Sequence, residues 1–192
     1  MILEGLVTTT SDDGGPHLAP MGPRADIPLT TLLFRPFPTS TTYRNLLAHG
    51  EGVFHLTDDV RVIARSAVGR LTEVPATRAA ERVNGFVLVD ACRAFEFVVR
   101  SVDDSTQRIN LATEIVKTHE LRPFLGFNRA KHAVLEAAIL ATRMHLIPAN
   151  EIEAEFRKLR IIVDKTAGPN EDEAMTFLEA YFAEMKLNQP GS

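Results

Sequence analysis

Phe34-Arg35-Pro36-Phe37-Pro38-Thr39-Ser40-Thr41-Thr42-Tyr43-Arg44-Asn45-Leu46 places four consecutive hydroxyls and two guanidiniums where a strand hands over to a helix. Pro36 and Pro38 bar this stretch from a central strand or a helix interior, because proline fixes φ and lacks the N–H that either ladder requires. Thr39 or Ser40 then caps a helix whose first N–H groups still need partners. A helix N-terminus with hydroxyl donors and Arg35 or Arg44 beside it is a plausible seat for a phosphate dianion, without a glycine-rich loop. The same run also reads as nothing more than a capped loop after two prolines.

The surroundings of this stretch decide which architecture holds it. Upstream, Ile2 to Thr9 is rich in β-branched residues, Asp12-Asp13-Gly14-Gly15-Pro16 is a strong turn, and His17 to Met21 resumes an extended run. These predict a hairpin, followed by a third strand over Pro28 to Phe34. Downstream, Thr41 to His49 reads as a short helix closed by Gly50, and Gly52 to Thr57 as a buried strand. Val60 to Val68 reads as either a helix or a strand, and Asp58 or Asp59 as a cap favours a short helix. Phe86 to Leu88 is extended. Ala94 to Arg100 alternates, Asp103-Asp104-Ser105-Thr106 turns, and Arg108 to His119 returns as a long strand. About six antiparallel strands with one inserted helix favour a closed barrel over a sandwich, since closure removes exposed edges.

After Phe124 the period changes from two to helical. Arg129 to Met144, Glu151 to Lys165 and a third segment after Gly168-Pro169 each carry an apolar stripe, with Asn170 as the expected cap of the third and Glu173 three residues on. The expected class is therefore α+β: a six-stranded antiparallel β-barrel over residues 1–124, a three-helix appendage within 125–187, and a disordered tail at 188–192.

Composition narrows the function. The chain has 192 residues, 45% of them hydrophobic, which is enough for a real core without staples. One cysteine, Cys92, excludes an internal disulfide framework and makes the cytoplasm the simplest compartment. A net charge of −4 without a dense basic stripe argues against nucleic acid. No apolar run reaches membrane length, and the N-terminus has no signal-like basic flank. The six histidines show no HExxH pattern or close pair, so no metal site is expected. Ser40 and Ser66 lack a nucleophile-elbow setting, and no dinucleotide or Walker glycine run occurs. No catalytic acid or base stands out; His17, His55 and His119 are the candidates for proton transfer because histidine as a residue type titrates near neutrality, though such residues are more often structural.

The second cluster of interest is Gly126-Phe127-Asn128-Arg129-Ala130-Lys131. Arg129 and Lys131 put cations in the first turn of a helix, against its positive end. Either an anion sits there, or a carboxylate such as Glu136 pairs with them.

Taken together, Pro16-His17-Leu18-Ala19-Pro20-Met21-Gly22, then Phe34-Arg35-Pro36 with Thr41-Thr42-Tyr43-Arg44-Asn45-Leu46, then Gly52-Val53-Phe54-His55-Leu56-Thr57, resembles the flavin-reductase-like FMN-binding split barrels. With Arg122 to Lys131 and the helical tail, the chain looks closest to their uncharacterised branch called domain of unknown function 447. The resemblance implies FMN as cofactor and a homodimer with flavin at the subunit interface, but no known reaction. It implies that Arg35, Thr39, Ser40, Thr41 and Thr42 hold the phosphate and that Ala19, Met21 and Gly22 line the isoalloxazine. Asn128, Arg129 and Lys131 join the list as a second anion-binding cluster, and Asn45 is expected to orient or cap. The helical tail and the lack of an evident NAD(P)H-binding segment set the chain apart from many flavin reductases. An FMN-dependent oxidoreductase is the first expectation; a non-catalytic flavin-binding or dimerisation module, or an enzyme for another phosphorylated ligand, is the alternative.

Overall fold

A computed structural model describes residues 1–105 and 109–188. The start of the long strand expected at Arg108, the end of the turn at Thr106 and the tail at 189–192 lie outside the described residues. The chain divides into two units: Met1–Thr57 with Thr72–Phe124, and Asp58–Leu71 with Leu125–Ser192.

The first unit is a curled antiparallel sheet. Its strands are β1 (Gly5–Thr10), β2 (Pro16–Met21), β3 (Arg24–Ala25), β4 (Thr31–Phe34), β5 (Glu51–Leu56), β8 (Arg93–Asp103) and β9 (Asn110–Glu120). β6 (Thr77–Ala79) and β7 (Phe86–Leu88) form a separate two-stranded ladder. The main order is β2-β1-β5-β8-β9-β4-β3, all antiparallel. Both ends of this order are brought together by Met1–Leu3 running against Pro23–Ala25, with Leu3 N–H donating to Pro23 O, Ala25 N–H to Met1 O, and Ile2 bridging Arg24. The result is the split β-barrel expected, with seven strands rather than six. The extra strand, Arg24–Ala25, is two residues long between Pro23 and Asp26, too short to leave a periodic signature. β4 begins later than expected, at Thr31, because Leu29 takes a left-handed φ of 74° in a turn whose Thr30 and Thr31 N–H groups are bound by the Asp26 carboxylate.

Alternation fills the barrel with apolar side chains. Phe34, Phe54, Phe95 and Phe97 are fully buried together, with the Phe34 and Phe97 rings 4.8 Å apart. Gly5 lets β1 approach β5, since a Cβ there would collide with the His55 carbonyl. Register shifts between Glu96 and Phe97 and between Val99 and Ser101 bend β8 against β9. Between β4 and β5 the helix α1 (Thr41–His49) ends on Gly50 at φ 69°, as the sequence predicts.

The second unit is helical: α2 (Val60–Ala67), α3 (Arg129–Thr142), α4 (Ala149–Thr166) and α5 (Pro169–Leu187). Ala130, Ala133, Ala137, Ala138 and Ala141 make α3 its buried centre, small enough for close approach by Val60, Ile152, Val163, Met175 and Leu178 of the other three. α2 thus joins the C-terminal helices, although its sequence lies within the 1–124 stretch. α5 begins two residues earlier than expected: Gly168, not Asn170, is the cap, Pro169 follows it, and the Glu171 carboxylate accepts from the Gly168 N–H at 2.8 Å.

His55 is enclosed in the first unit, its Nε2 accepting from Leu88 N–H at 3.0 Å and its Nδ1 facing Leu6 O at 3.4 Å. Burial outweighs the Leu6 bond and takes its pKa down to about 3. Folding therefore excludes a proton that the unfolded chain binds below its usual value of about 6.5. This contribution is complete above that pH and is lost as pH falls from there toward 3. Denaturation curves should show stability dropping by up to about 1.4 kcal/mol per pH unit on this limb, and His55→Leu should be less stable at pH 7 with a shallower acid slope.

Candidate functional site

The handover from β4 to α1 is built as the proline pattern requires. Ser40 is the N-cap: its Oγ accepts from Tyr43 N–H at 3.2 Å and donates to Phe37 O at 2.8 Å. No acidic side chain stands in the first turn, so nothing in the helix itself opposes its positive end. Arg44 is drawn back over this end, Nη1 donating to Thr39 O and Nη2 to Thr41 Oγ1, both at 3.0 Å. Thr42 is buried and Thr41 half-buried. Arg35, directly after the buried Phe34, has its Nε buried without a hydrogen-bond partner among the described residues. A guanidinium N–H withdrawn from water and left unpaired is costly, and an oxyanion is the group that relieves it.

A buried polar contact sets the position of α1. Asn45 Nδ2 donates to Thr9 Oγ1 of β1 at 2.9 Å, which gives Asn45 the orienting role expected of it. Thr9 pairs directly with His17 on β2, and opposed residues of an antiparallel ladder project from the same face. By alternation His17, Ala19 and Met21 share that face. Ala19, Met21 and Tyr43 pack against the same core as Leu46 and Phe34. Gly22 follows β2 and is exposed. β2 stands at the end of the sheet order with β1 as its one sheet partner, which leaves its outer edge free of ladder bonds among the described residues. Arg35, Thr39, Ser40, Thr41, Thr42, Ala19, Met21 and Gly22 therefore all belong to the first unit, around α1 and the strands on which it packs.

Asn128, Arg129 and Lys131 belong to the second unit. Asn128 is the cap of α3: Oδ1 accepts from Ala130 N–H at 2.8 Å and Lys131 N–H at 3.2 Å, and Nδ2 donates to Thr166 O. Lys131 Nζ donates to Asp58 O at 2.8 Å and lies 3.5 Å from Asp58 Oδ2 and 3.7 Å from Glu171 Oε1. Carboxylates thus offset its charge at the helix start, and they come from Asp58 and Glu171 rather than Glu136. Arg129 is exposed.

One buried ionised group escaped the sequence reading. Glu96 on β8 is fully buried; its carboxylate accepts from the N–H groups of Glu81, Arg82 and Val83 and from His119 Nε2 at 2.6 Å. Burial pushes this carboxyl up, but the Glu81 N–H, His119 and the Arg82 N–H together hold it below its ordinary value. Arg78 Nη2 meets His119 Nδ1 at 3.1 Å. In sequence, Glu96 interrupts an apolar strand, which was the available signal. His55 and His119 are both tied into the frame in this way. Among the described residues no group of three or more His, Cys, Asp or Glu is placed to hold a metal ion, and no helix is long and apolar enough to cross a membrane.

Comparison with known proteins follows these elements. A family model described as "Protein of unknown function (DUF447) N-terminal domain" matches residues 3–122, and the companion model "Protein of unknown function (DUF447)" matches residues 128–180. The crystal structure of an FMN-bound protein from Methanosarcina mazei superposes with a TM-score of 0.81 at 22% identity, covering 94% of each chain. The styrene monooxygenase flavin reductase from Pseudomonas putida S12 gives 0.51 at 14% identity over 64% of this chain and 82% of that one. Flavoredoxin from Methanosarcina acetivorans gives 0.52 at 12% identity over 62% and 68%. The comparison with curated proteins finds no match.

The Thr9 to Asn45 bond makes a direct prediction. Thr9→Val keeps the strand shape but leaves the buried Asn45 amide short of an acceptor, and should cost about 1–3 kcal/mol in chemical denaturation. Thr9→Val with Asn45→Leu should recover part of that loss; a neutral single variant contradicts the anchoring role.

Proposed function

We propose, for a chain that belongs to the family described as protein of unknown function (DUF447), that it is an FMN-binding flavoprotein. The observation that carries this reading is the unpaired buried Nε of Arg35 just before the first turn of α1, which holds no acidic side chain. A phosphate monoester brings close to two negative charges and three acceptor oxygens at pH 7. Arg35, the first-turn N–H groups and the Thr39, Thr41 and Thr42 hydroxyls are donors of the number and kind such a group takes. Ser40 serves by holding the turn. The FMN carried by the Methanosarcina mazei structure supports the same ligand from outside.

Ala19 and Met21 supply an apolar face for the isoalloxazine, and Gly22 with the free edge of β2 supplies main-chain groups to its rim. Asn128 and Lys131 have partners that account for them, so the phosphate is assigned to the first unit alone. When bound, FMN supplies one- and two-electron redox chemistry, and the protein is on this reading an oxidoreductase whose residues position the ring and its phosphate. We take it to be a cytoplasmic homodimer with flavin at the subunit interface. Exposed Ile2, Ile27 and Phe37 on the first unit and the lone, buried Cys92 support this.

The purified protein should be yellow or turn yellow on titration with FMN, with stoichiometric flavin absorbance. A colourless protein that refuses added FMN overturns the proposal. Arg35→Ala should raise the Kd for FMN by about tenfold to a hundredfold, the value of one hydrogen bond to a charged group, while riboflavin affinity stays unchanged. Sedimentation should return twice the 21.2 kDa chain mass.

A further inference from the structure

We propose that His17 is a third cationic arm of the anion seat, taking up a proton when a phosphate dianion docks beside Arg35 and Arg44. This rests on the reading of α1 as the phosphate site and adds to it a residue and a proton.

The geometry comes from the ladder and the helix together. His17 is directly opposite Thr9, so both project from the face on which Thr9 receives Asn45 from α1. Arg44 precedes Asn45 on that helix and is folded back onto Thr39 O and Thr41 Oγ1, at the mouth of the seat. The imidazole is half-buried, and its nitrogens have no hydrogen-bond partner among the described residues, in contrast to the enclosed His55 and His119. Such a ring, on the strand face that carries α1, is a donor in waiting.

The charged groups around it are few. From α1 the charge of Arg44 acts on it; from β1 it stands opposite Thr9, neutral and already bonded; in the preceding turn Asp13 is spent on the Gly15 N–H. Burial first and Arg44 second hold His17 below its ordinary pKa while the seat carries only positive charge. A dianion placed against Arg44 reverses the sign of the local field and favours the imidazolium. A group whose pKa is higher in the bound state than in the free state makes binding tighter as pH falls between the two values. The free phosphate monoester begins to lose its second charge near pH 6, so the effect is best read above that, between about pH 7 and pH 8.

Calorimetric titration with FMN in two buffers of different ionisation enthalpy reads the proton directly. The expected result is uptake approaching one proton per FMN and a Kd that weakens about threefold to tenfold from pH 7 to pH 8, with riboflavin showing neither. His17→Gln should abolish both the uptake and the slope. His17→Lys should keep binding tight at pH 8 with no slope. FMN binding without proton uptake, or a slope that survives in His17→Gln, overturns this inference and leaves the flavin reading intact. Failure of the unmodified protein to bind FMN overturns both.

Discussion

Every side chain of β1 is buried, so the hydroxyls of Thr8, Thr9 and Thr10 must be satisfied inside the protein. That constraint organises the first unit in two directions. On one face Thr8 Oγ1 donates to Phe86 O and Thr10 Oγ1 to Asn84 O, which fastens β7 and its approach to the barrel. On the other, Thr9 takes the Asn45 amide and fastens α1. Apolar contacts tolerate sliding, whereas a buried hydrogen bond at 2.9 Å does not. The position of α1 is thus set by a polar contact with a buried strand.

The same satisfaction rule separates frame from site. Glu96 carries a charge into the interior and finds three N–H groups and an imidazole there, so its shell is complete. His55 is complete as well, with a donor at one nitrogen and an acceptor at the other. Arg35 is incomplete. A buried ionised group with all its partners specifies a turn or a tautomer; Arg93 Nε and Arg160 Nη1 lack a hydrogen-bond partner among the described residues as Arg35 Nε does, and what sets Arg35 apart is its place just before the capped start of α1. Net charge and fold class do not draw this distinction, and the comparison with flavin-binding structures under 25% identical speaks to the fold.

Local chemistry made much of this legible in advance. Pro36 and Pro38 stop a strand, Ser40 caps and Gly50 closes α1, and those four residues act through their nearest neighbours alone. The β1–β2 turn and the long β8–β9 pair followed from alternation in the same way. What stayed hidden depends on distant partners. β3 is a strand only because Met1–Leu3 lie beside it. Lys131 suits a helix start only because Asp58 and Glu171 meet it there. Gly168 won the α5 cap over Asn170 through the reach of Glu171, two residues earlier than the pattern of Glu173 suggested. For the seat, residue types pointed to an anion, but the loss of water from Arg35 Nε is a tertiary fact.

The helical unit draws α2 from the middle of the chain and α3, α4 and α5 from its end. During synthesis α2 therefore leaves the ribosome well before the alanine face of α3 that covers Val60 and Ala64 exists. At ordinary elongation rates this leaves an apolar helix uncovered for on the order of seconds. The second unit completes itself only once α3, α4 and α5 have been made, and Asp59 and Arg61, which hold each other at 2.8 Å at the start of α2, are the contacts local enough to keep that helix wound while it waits.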